Sequence, residues 1–475
     1  MPRLRPRRFP TTLAAALALA ALDSPEARAA PGDATYSRDS SRLFWLLHIS
    51  DSHIGASAIE GPNASAHFEW ALSDGIDVID PERVIVTGDL CDGSRYGIPA
   101  SGQEQGEWDE YAGLYEDAGM TADFYVDLPG NHDGYGDPGL TYYLANSLQG
   151  QAQGVPYHSL RLSFPFGDYL IYGLDTAGSG SNAFVEAPAF LADDVQHLQD
   201  MLATTPTPNL VLLFGHHRIT TPDNADAVIA LAQQAEAFYF HGHVHAYGSY
   251  LTEGLVAAQV DTLGKGNSNN VAVIAVDNDA VSYGATSTAD PWPFIVITAP
   301  ANSVLDSDEA NPWAYSVCNT GETNPVRALV FDEAAVTAVS FDDGDSSGIP
   351  MVQDSAEPRL WHGAWDTRGL PTGARTLTVT ATGTETRSAQ VTVRLEDVDC
   401  PPPLPTGPDA GVDDDAGPTT DASLTADASL ADSDGGGSPL SPHGGCGCRT
   451  DGTGPVAPPL LLVWLAWLVI RRRAA

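Results

Sequence analysis

Short apolar runs along the N-terminal part of the chain each end in a cluster of polar residues. Each run is nearly continuous in large apolar side chains, which is typical of a buried strand; the runs are residues 43–49, 84–86, 124–128, 210–214 and 237–240. Segments with apolar residues at helical spacing lie between several of them. Strands separated by helices predict a layered α/β fold with some parallel pairing. Sites of such folds collect at the carboxyl ends of strands, where the polar clusters lie.

Two of the helical segments carry expectations about burial. One is expected to pack an aromatic face into the core, formed by Trp108, Tyr111, Ala112 and Tyr115. The segment 191–202 turns its apolar residues inward, so its polar residues are expected on the solvent side, namely Asp193, Asp194, His197 and Asp200. The run 271–276 and a strand that returns from Ala280 are expected to complete this domain.

Beyond Pro291-Trp292-Pro293 the apolar pattern changes from a helical period to alternation. Leu377, Val379 and Ala381 alternate with threonines, and the stretch after Val391 repeats the pattern. Alternation over several short segments predicts a β-sandwich. The stretch 361–379 resembles the second half of bacterial Ig-like modules.

The two ends of the chain have the composition of targeting segments. Residues 1–29 combine arginines, an apolar stretch and a small-residue cleavage pattern, which predicts an export signal. Arg7-Arg8 followed by Phe9 leaves both general secretion and twin-arginine export open. Residues 400–455 are rich in Pro, Asp, Ala and Gly and predict a disordered acidic linker.

A hydrophobic segment over residues 456–473 follows this linker and ends in arginines. Its apolar part would form a helix of about 22 Å, short of the ~30 Å hydrocarbon core, so a conventional transmembrane helix would be strained. The order of Cys446-Gly447-Cys448, hydrophobic segment and arginine cluster resembles the MYXO-CTERM type of sorting tail. The resemblance implies C-terminal processing machinery as a partner, a membrane contact through this segment, and a protein anchored at the cell surface or the periplasmic or outer-membrane face.

Charge and cysteine content narrow the function classes. The net charge is -40, from 62 acidic and 22 basic residues, and Lys265 is the only lysine. So acidic a chain repels nucleic acid, and no nucleic-acid partner is expected. The five cysteines are too few for a disulfide scaffold, so the core is expected to hold the fold.

The polar clusters contain the residue types that bind borderline divalent metals. They mix carboxylate, imidazole and amide ligands without cysteine, which favours Mn, Fe or Zn over a structural thiolate zinc site; the members are Asp51, His53, Asp89, Asn131, His216, His243 and His245. These are too many ligands for one ion. Two ions about 3.5 to 4 Å apart that share a carboxylate would use them all.

In order, the clusters match the series D-x-H, G-D-x-x-D, G-N-H-[DE], G-H and G-H-x-H. Over roughly residues 40 to 288 the chain therefore resembles the calcineurin-like metallophosphoesterases. The resemblance implies a four-layer α/β/β/α metallophosphoesterase sandwich, here followed by an Ig-like β-sandwich domain and a disordered acidic tail. This domain order is similar to a group of eukaryotic membrane metallophosphoesterases.

The resemblance also implies a role for each residue. Asp51, His53, Asp89 and His245 would hold the first metal, and Asp89, Asn131, His216 and His243 the second, with Asp89 as the bridge. His132 would protonate the leaving oxygen or hold the phosphoryl group, and Asp92 would orient His132 through a hydrogen bond. His217 is expected to pack or to support the ligands, with substitution for His216 or contact with substrate as the alternatives. Arg95 and Arg218 either meet the phosphate or face solvent.

The implied reaction is the hydrolysis of a phosphomonoester or phosphodiester by a metal-bridging hydroxide. Gly93-Ser94 follows Asp92 where protein Ser/Thr phosphatases have Arg-Gly, which argues against phosphoprotein phosphatase activity. The alternative is a cell-surface binding or adhesion protein whose metal site is structural or vestigial. The expected domains are an export signal (1–29), a metallophosphoesterase domain (38–288), an Ig-like domain (292–399), a linker (400–455) and a hydrophobic sorting segment (456–473).

Overall fold

Strands and helices follow the predicted pattern in the computed structural model, which describes residues 40–94, 101–178, 187–266, 269–320 and 324–398. The five predicted strands agree with the observed ones to within one residue at each end. The export signal, the linker and the hydrophobic segment lie outside the described residues and stay predictions. Within the described ranges, no helix is both long and apolar enough to cross a membrane.

Eleven strands and seven helices build the described N-terminal region. The strands are β1 (Leu43–Ile49), β2 (Arg83–Thr87), β3 (Tyr125–Leu128), β4 (His158–Phe164), β5 (Gly167–Gly173), β6 (Leu210–Phe214), β7 (Phe238–His241), β8 (Gly248–Thr252), β9 (Leu255–Gln259), β10 (Asn270–Asp277) and β11 (Ala280–Ser287). The helices are α1 (Ala64–Leu72), α2 (Asp74–Ile79), α3 (Gln105–Asp117), α4 (Thr141–Asn146), α5 (Leu148–Gln153), α6 (Ala192–Leu202) and α7 (Ala225–Gln234).

Two mixed sheets pack face to face in this region. The first has the order β11-β10-β1-β2-β3, with β1, β2 and β3 parallel. The second has the order β4-β5-β6-β7-β9-β8, with β5, β6, β7 and β9 parallel. Large apolar side chains fill the space between them, among them Phe44, Ile85, Phe214 and Phe240. This packing removes a wide apolar surface from water and holds the two sheets together.

Helices cover the outer face of each sheet and complete four layers. Apolar residues of α1, α2 and α3 pack on the first sheet, and those of α6 and α7 pack on the second. Trp108, Tyr111 and Tyr115 of α3 are buried, as their spacing predicts. The α/β fold predicted for this half of the chain is confirmed.

The expectation for Asp194 was wrong. This carboxylate is fully buried instead of facing solvent. Tyr172 Oη donates to it at 2.7 Å and the Asp175 main-chain N–H at 2.9 Å. Burial raises the pKa of Asp194 to about 7. Helix α6 therefore covers two buried hydrogen-bond donors as well as apolar surface. Helical periodicity predicts the apolar face of a helix but not its contacts with such donors.

The C-terminal described region is rich in β-structure, as predicted. Its strands are β12 (Phe294–Ala299), β13 (Val317–Cys318), β14 (Asn324–Phe331), β15 (Ala338–Asp342), β16 (Ile349–Pro350), β17 (Val352–Gln353), β18 (Leu360–Trp365), β19 (Gly373–Thr382) and β20 (Thr386–Glu396). They form two sheets, β12-β14-β18-β17 and β13-β20-β19-β15-β16, around a separate apolar cluster. Cys318 is disulfide-bonded. The Ig-like resemblance and the domain limits stay predictions.

The two regions share an apolar core. Phe331 of β14 packs against Trp45 of β1 with ring centroids 6.1 Å apart, and Trp292 lies against Trp70 of α1 at 6.4 Å. The described residues of both regions belong to one compact unit. The β-rich region therefore covers part of the first sheet and of α1.

A buried ion pair also joins the two regions. Arg327 of β14 donates from Nε at 2.8 Å and from Nη2 at 2.9 Å to the two oxygens of Asp277, at the end of β10. Both side chains are almost completely buried, and Thr298 Oγ1 donates to the same carboxylate at 2.7 Å. Paired, hydrogen-bonded charges are tolerated in a core, whereas one left alone is costly.

Replacing Arg327 with Met is expected to lower the free energy of unfolding by about 3–5 kcal/mol, because Asp277 then keeps a buried charge without its partner. The double variant Asp277→Asn, Arg327→Met should be closer to wild type, since neither charge remains. Chemical denaturation of the purified protein measures both effects. The control is Arg375→Met, whose partner Asp345 is exposed. An Arg327→Met protein as stable as this control would contradict the prediction.

Candidate metal centre

The ends of five parallel strands bring the polar clusters together at one edge of the two sheets. The first sheet contributes Asp51 and His53 after β1, Asp89 and Asp92 after β2, and Asn131 and His132 after β3. The second contributes His216 after β6, and His243 and His245 after β7. Because parallel strands end at the same edge, residues distant in sequence become neighbours.

Asp51, His53 and His245 form one group at this edge. His53 Nε2 lies 3.4 Å from His245 Nε2 and 3.7 Å from both Asp51 Oδ1 and Asp89 Oδ2. His245 Nε2 lies 3.0 Å from Asp51 Oδ1. One donor atom each of Asp51, His53 and His245 lie within 4.8 Å of one another, so the three could hold a metal ion.

Asp89 connects this group to a second one. His216 Nε2 lies 3.2 Å from Asp89 Oδ2 and 3.0 Å from Asn131 Oδ1. The ring of His243 lies 5.1 Å from that of His216. The structure thus brings all seven predicted ligands together, with the Asp89 carboxylate between the two groups.

The charges of the site are those of a cation-binding centre. Burial disfavours the ionised form of Asp51 and Asp89, but His216 and other neighbouring histidines hold the pKa of both carboxyls well below the usual range. Burial likewise disfavours protonated His216, yet Asp89 and Asp51 raise its pKa to about 10. Two ionised carboxylates in a buried site are stabilised by nearby positive charge, which either a proton on His216 or a bound cation supplies. Oxygen and nitrogen donors without thiolate suit two borderline divalent ions, so the residues present fit the implied metals.

The backbone at these positions is held in an uncommon conformation. Five of the seven predicted ligands have φ between 45° and 65°, namely Asp51, His53, Asp89, His243 and His245. A non-glycine residue in this region costs on the order of 1–3 kcal/mol, and such residues cluster at functional sites. The loops at the strand ends therefore orient the candidate ligand side chains towards one another at a cost in local stability.

His132 lies beside the two groups, and the main-chain oxygen of Asp92 sets its orientation. His132 Nδ1 is 2.7 Å from the Asp92 main-chain oxygen, which only accepts, so Nδ1 carries the hydrogen. The Asp92 carboxylate is 3.7 Å away. It instead receives the hydroxyl of Ser94 and lies 2.5 Å from Lys265 Nζ. The other ring nitrogen of His132, Nε2, therefore faces Asp89 and lies 3.9 Å from its Oδ2.

Several residues that support the site were not predicted from the sequence. Asp133 accepts the main-chain N–H groups of Leu90, Cys91 and Gly130, which ties the loop after β2 to the loop after β3. Its position in the G-N-H-[DE] motif was a usable signal. Glu107 of α3 accepts the N–H groups of Gly93 and Ser94, at 2.9 and 3.1 Å. Nothing in the helical period of α3 distinguishes Glu107 from a solvated residue.

His217 and Arg218 differ in their exposure to solvent. His217 is buried, its Nδ1 lies 3.0 Å from Thr176 Oγ1, and its ring is 4.4 Å from that of His243. Among the described residues its Nε2 has no hydrogen-bond partner. Arg218 is exposed and lies over the ring of Tyr250 at 5.6 Å. Arg95 lies outside the described residues.

Comparisons with known proteins point to one family. Residues 44–247 match the model of the family described as calcineurin-like phosphoesterase. The chain is 26% identical to Transmembrane protein 62 of Mus musculus over 355 residues, covering 72% of this chain and 53% of the mouse protein. It is 23% identical over 276 residues to an Arabidopsis thaliana protein named as a candidate metallophosphoesterase, covering 53% of this chain and 36% of that protein. The chain thus spans about half or less of the length of these relatives.

Among solved structures, one similar chain is the purple acid phosphatase PPD1 from yellow lupin seeds. The TM-score is 0.37 at 14% sequence identity, and the match covers 54% of this chain and 53% of that one.

Replacing Gly242 with Ala is expected to weaken divalent-ion binding by about 10- to 100-fold, a size typical of changes next to metal ligands. The added Cβ would overlap Ser50 Oγ and Asp51 Oδ2 and displace the Asp51 carboxylate. Calorimetric titration of metal-free protein with Mn²⁺ or Zn²⁺ measures the change. Gly139→Ala is the control, because its Cβ would meet open space. Equal affinities of the two variants would contradict a role of Asp51 in metal binding.

Proposed function

We propose, on the premise that residues 44–247 form a calcineurin-like metallophosphoesterase domain, that the protein hydrolyses a phosphomonoester or phosphodiester with two divalent metal ions. The observation that carries the proposal is the clustering of seven residues with oxygen or nitrogen ligand atoms, among which the Asp89 carboxylate lies between the two groups. Asp51, His53, Asp89 and His245 would hold one ion, and Asp89, Asn131, His216 and His243 the other.

Bound at these residues, the ions would lower the pKa of water and neutralise charge on the phosphoryl oxygens. Hydrogen bonds within the protein fix the positions of the candidate ligands. Asp89 is fixed by the N–H of His132, which donates to its Oδ1 at 2.9 Å. His216 is fixed by its Nδ1, 2.7 Å from the Thr87 main-chain oxygen, which leaves Nε2 for the site. Such bonds hold ligand atoms in place before substrate arrives.

His132 is the proton donor that this geometry favours. Its Nδ1 hydrogen is engaged by the Asp92 main-chain oxygen, so a proton for the leaving oxygen would come from Nε2. The ring is 4.6 Å from that of His53, and its side chain is 14% exposed, so it borders both the predicted ligands and solvent. A departing alkoxide needs a proton at this place.

The reaction is tested by assaying purified full-length protein with Mn²⁺ or Zn²⁺ on p-nitrophenyl phosphate and bis-p-nitrophenyl phosphate. Asp89→Asn is expected to lose both turnover and bound metal. His132→Ala should keep its metal and lose about 10²- to 10⁴-fold in kcat, the usual contribution of an acid–base group. His362→Gln on β18 is the control and should behave as wild type.

The same assay separates the alternative function. A wild type no faster than Asp89→Asn on either ester would contradict the proposed hydrolysis. Two tightly held ions without turnover would favour a binding protein with a structural metal site.

We also propose that the protein is exported and held at the cell surface. The sequences of residues 1–29 and 446–473 support this, as does the disulfide at Cys318, because disulfides persist in oxidising compartments. The mouse relative carries a membrane protein's name.

Protease treatment of intact cells is expected to digest the protein and to leave a cytosolic control protein intact. Immunoblotting after the treatment measures both. Deleting residues 2–29 should protect the protein, because without the predicted signal it would stay inside. Full protection of the wild-type protein in intact cells, with digestion only after lysis, would contradict surface exposure.

A further inference from the structure

We propose that Lys265 is a substrate-binding residue whose ammonium group contacts a phosphoryl oxygen of the phosphate ester beside His132. The inference rests on the proposed phosphoesterase function and names a residue that no sequence motif marks.

The segment that carries Lys265 is hydrogen-bonded to the loop after β1, which contains Asp51 and His53. Leu263 N donates to Ser50 O at 3.1 Å, and Gly264 N donates to Asp51 O at 2.9 Å. Thr262 Oγ1 donates to the same Asp51 oxygen at 2.9 Å. A Cβ at Gly264 would overlap the Ser52 carbonyl, so only glycine permits this approach. The position of Lys265 relative to Asp51 is therefore fixed by main-chain bonds.

The Lys265 side chain ends at the border between the buried site and solvent. Its Nζ lies 2.5 Å from Asp92 Oδ1, and that oxygen lies 3.3 Å from His53 Nδ1. The Asp92 side chain is completely buried, whereas that of Lys265 is 17% exposed and that of His132 is 14% exposed. An ammonium group has three N–H donors, so an ion pair with one carboxylate oxygen does not use them all. His132 Nδ1 lies 3.7 Å from the same Asp92 oxygen, so the ammonium group and the imidazole border one carboxylate, and a ligand that reaches His132 would meet both.

The charge of the chain gives such a cation a clear use. With a net charge of -40, the protein repels a phosphate ester at a distance. Arg218 is a cation in the loop after β6. It is exposed and lies over the ring of Tyr250. Lys265 is the only lysine of the chain, and it sits against the buried carboxylate next to the candidate metal centre. A fixed ammonium there offsets the repulsion at the place where the phosphate must bind.

Lys265 would otherwise only hold Asp92 in place. The two roles differ in what they change. A substrate contact contributes to the affinity for phosphate and to KM, whereas loss of Asp92 positioning would disturb His132 and lower kcat at unchanged phosphate affinity.

The experiment compares Lys265→Met, Lys265→Arg and the charge-matched control Arg218→Met in the metal-loaded full-length protein. Calorimetry measures the binding of inorganic phosphate, and kinetics on p-nitrophenyl phosphate give KM and kcat. Lys265→Met is expected to weaken phosphate binding and raise KM by about tenfold or more, the size of a lost charge-assisted hydrogen bond. Its kcat should change by less than about threefold, as for a loss of uniform binding. Lys265→Arg should recover most of the affinity, and Arg218→Met should resemble wild type.

Unchanged phosphate affinity in Lys265→Met, with or without a fall in kcat, would overturn the proposal. Metal content and melting temperature of each variant are measured on the same sample, so that a misfolded or metal-free protein is recognised; in that case Lys265→Gln, which keeps a donor without the charge, replaces it. Because phosphate binding is measured without turnover, an inactive wild type would sink the proposed function while leaving the role of Lys265 decided by calorimetry.

Discussion

The structure depends on the way main-chain hydrogen bonds continue past the ends of the parallel strands. Asp51 N donates to Gly88 O at 3.0 Å, and His53 N donates to Asp89 O at 2.9 Å, so the loops after β1 and β2 remain paired beyond the sheet. In the second sheet, Gly242 N donates to His216 O at 3.2 Å. These bonds satisfy donors that would otherwise be buried without partners. They also fix the spacing of the side chains that form the candidate metal centre.

This pairing explains how the strained residues are maintained. A left-handed conformation at five candidate ligands is unfavourable at each position. The Asp133 carboxylate and the paired loops hold two of the strand ends from the other side, and Glu107 holds the turn that follows Asp92. The energy of the core between the sheets thus maintains a geometry that the loops alone would not adopt. The positions of the candidate ligands are set by many small contacts around them.

The sequence predicted the strands and the seven clustered residues, because both leave local signals. A buried strand appears as an apolar run, and a carboxylate or imidazole after it is visible by residue type. Asp194 was misplaced because its burial depends on Tyr172 and Asp175, which reach it only in the folded chain. Asp92 was predicted to hydrogen-bond His132, and its main-chain oxygen makes this contact, which residue type alone does not reveal. Lys265 carries no local pattern, since the turn of backbone that brings it to Asp92 follows from Gly264 and Thr262 packing on residues 50–52.

The core shared by the two regions has a consequence for how this protein can change over evolution. Trp292 and Phe331 cover α1 and β1, the strand that leads into Asp51 and His53. A substitution on either side of that surface therefore alters the support of the other. The β-rich region cannot be exchanged for an unrelated module without also redesigning the surface of the N-terminal region. Sequence drift in the two halves is expected to be correlated at this contact, while loops far from it are free to diverge.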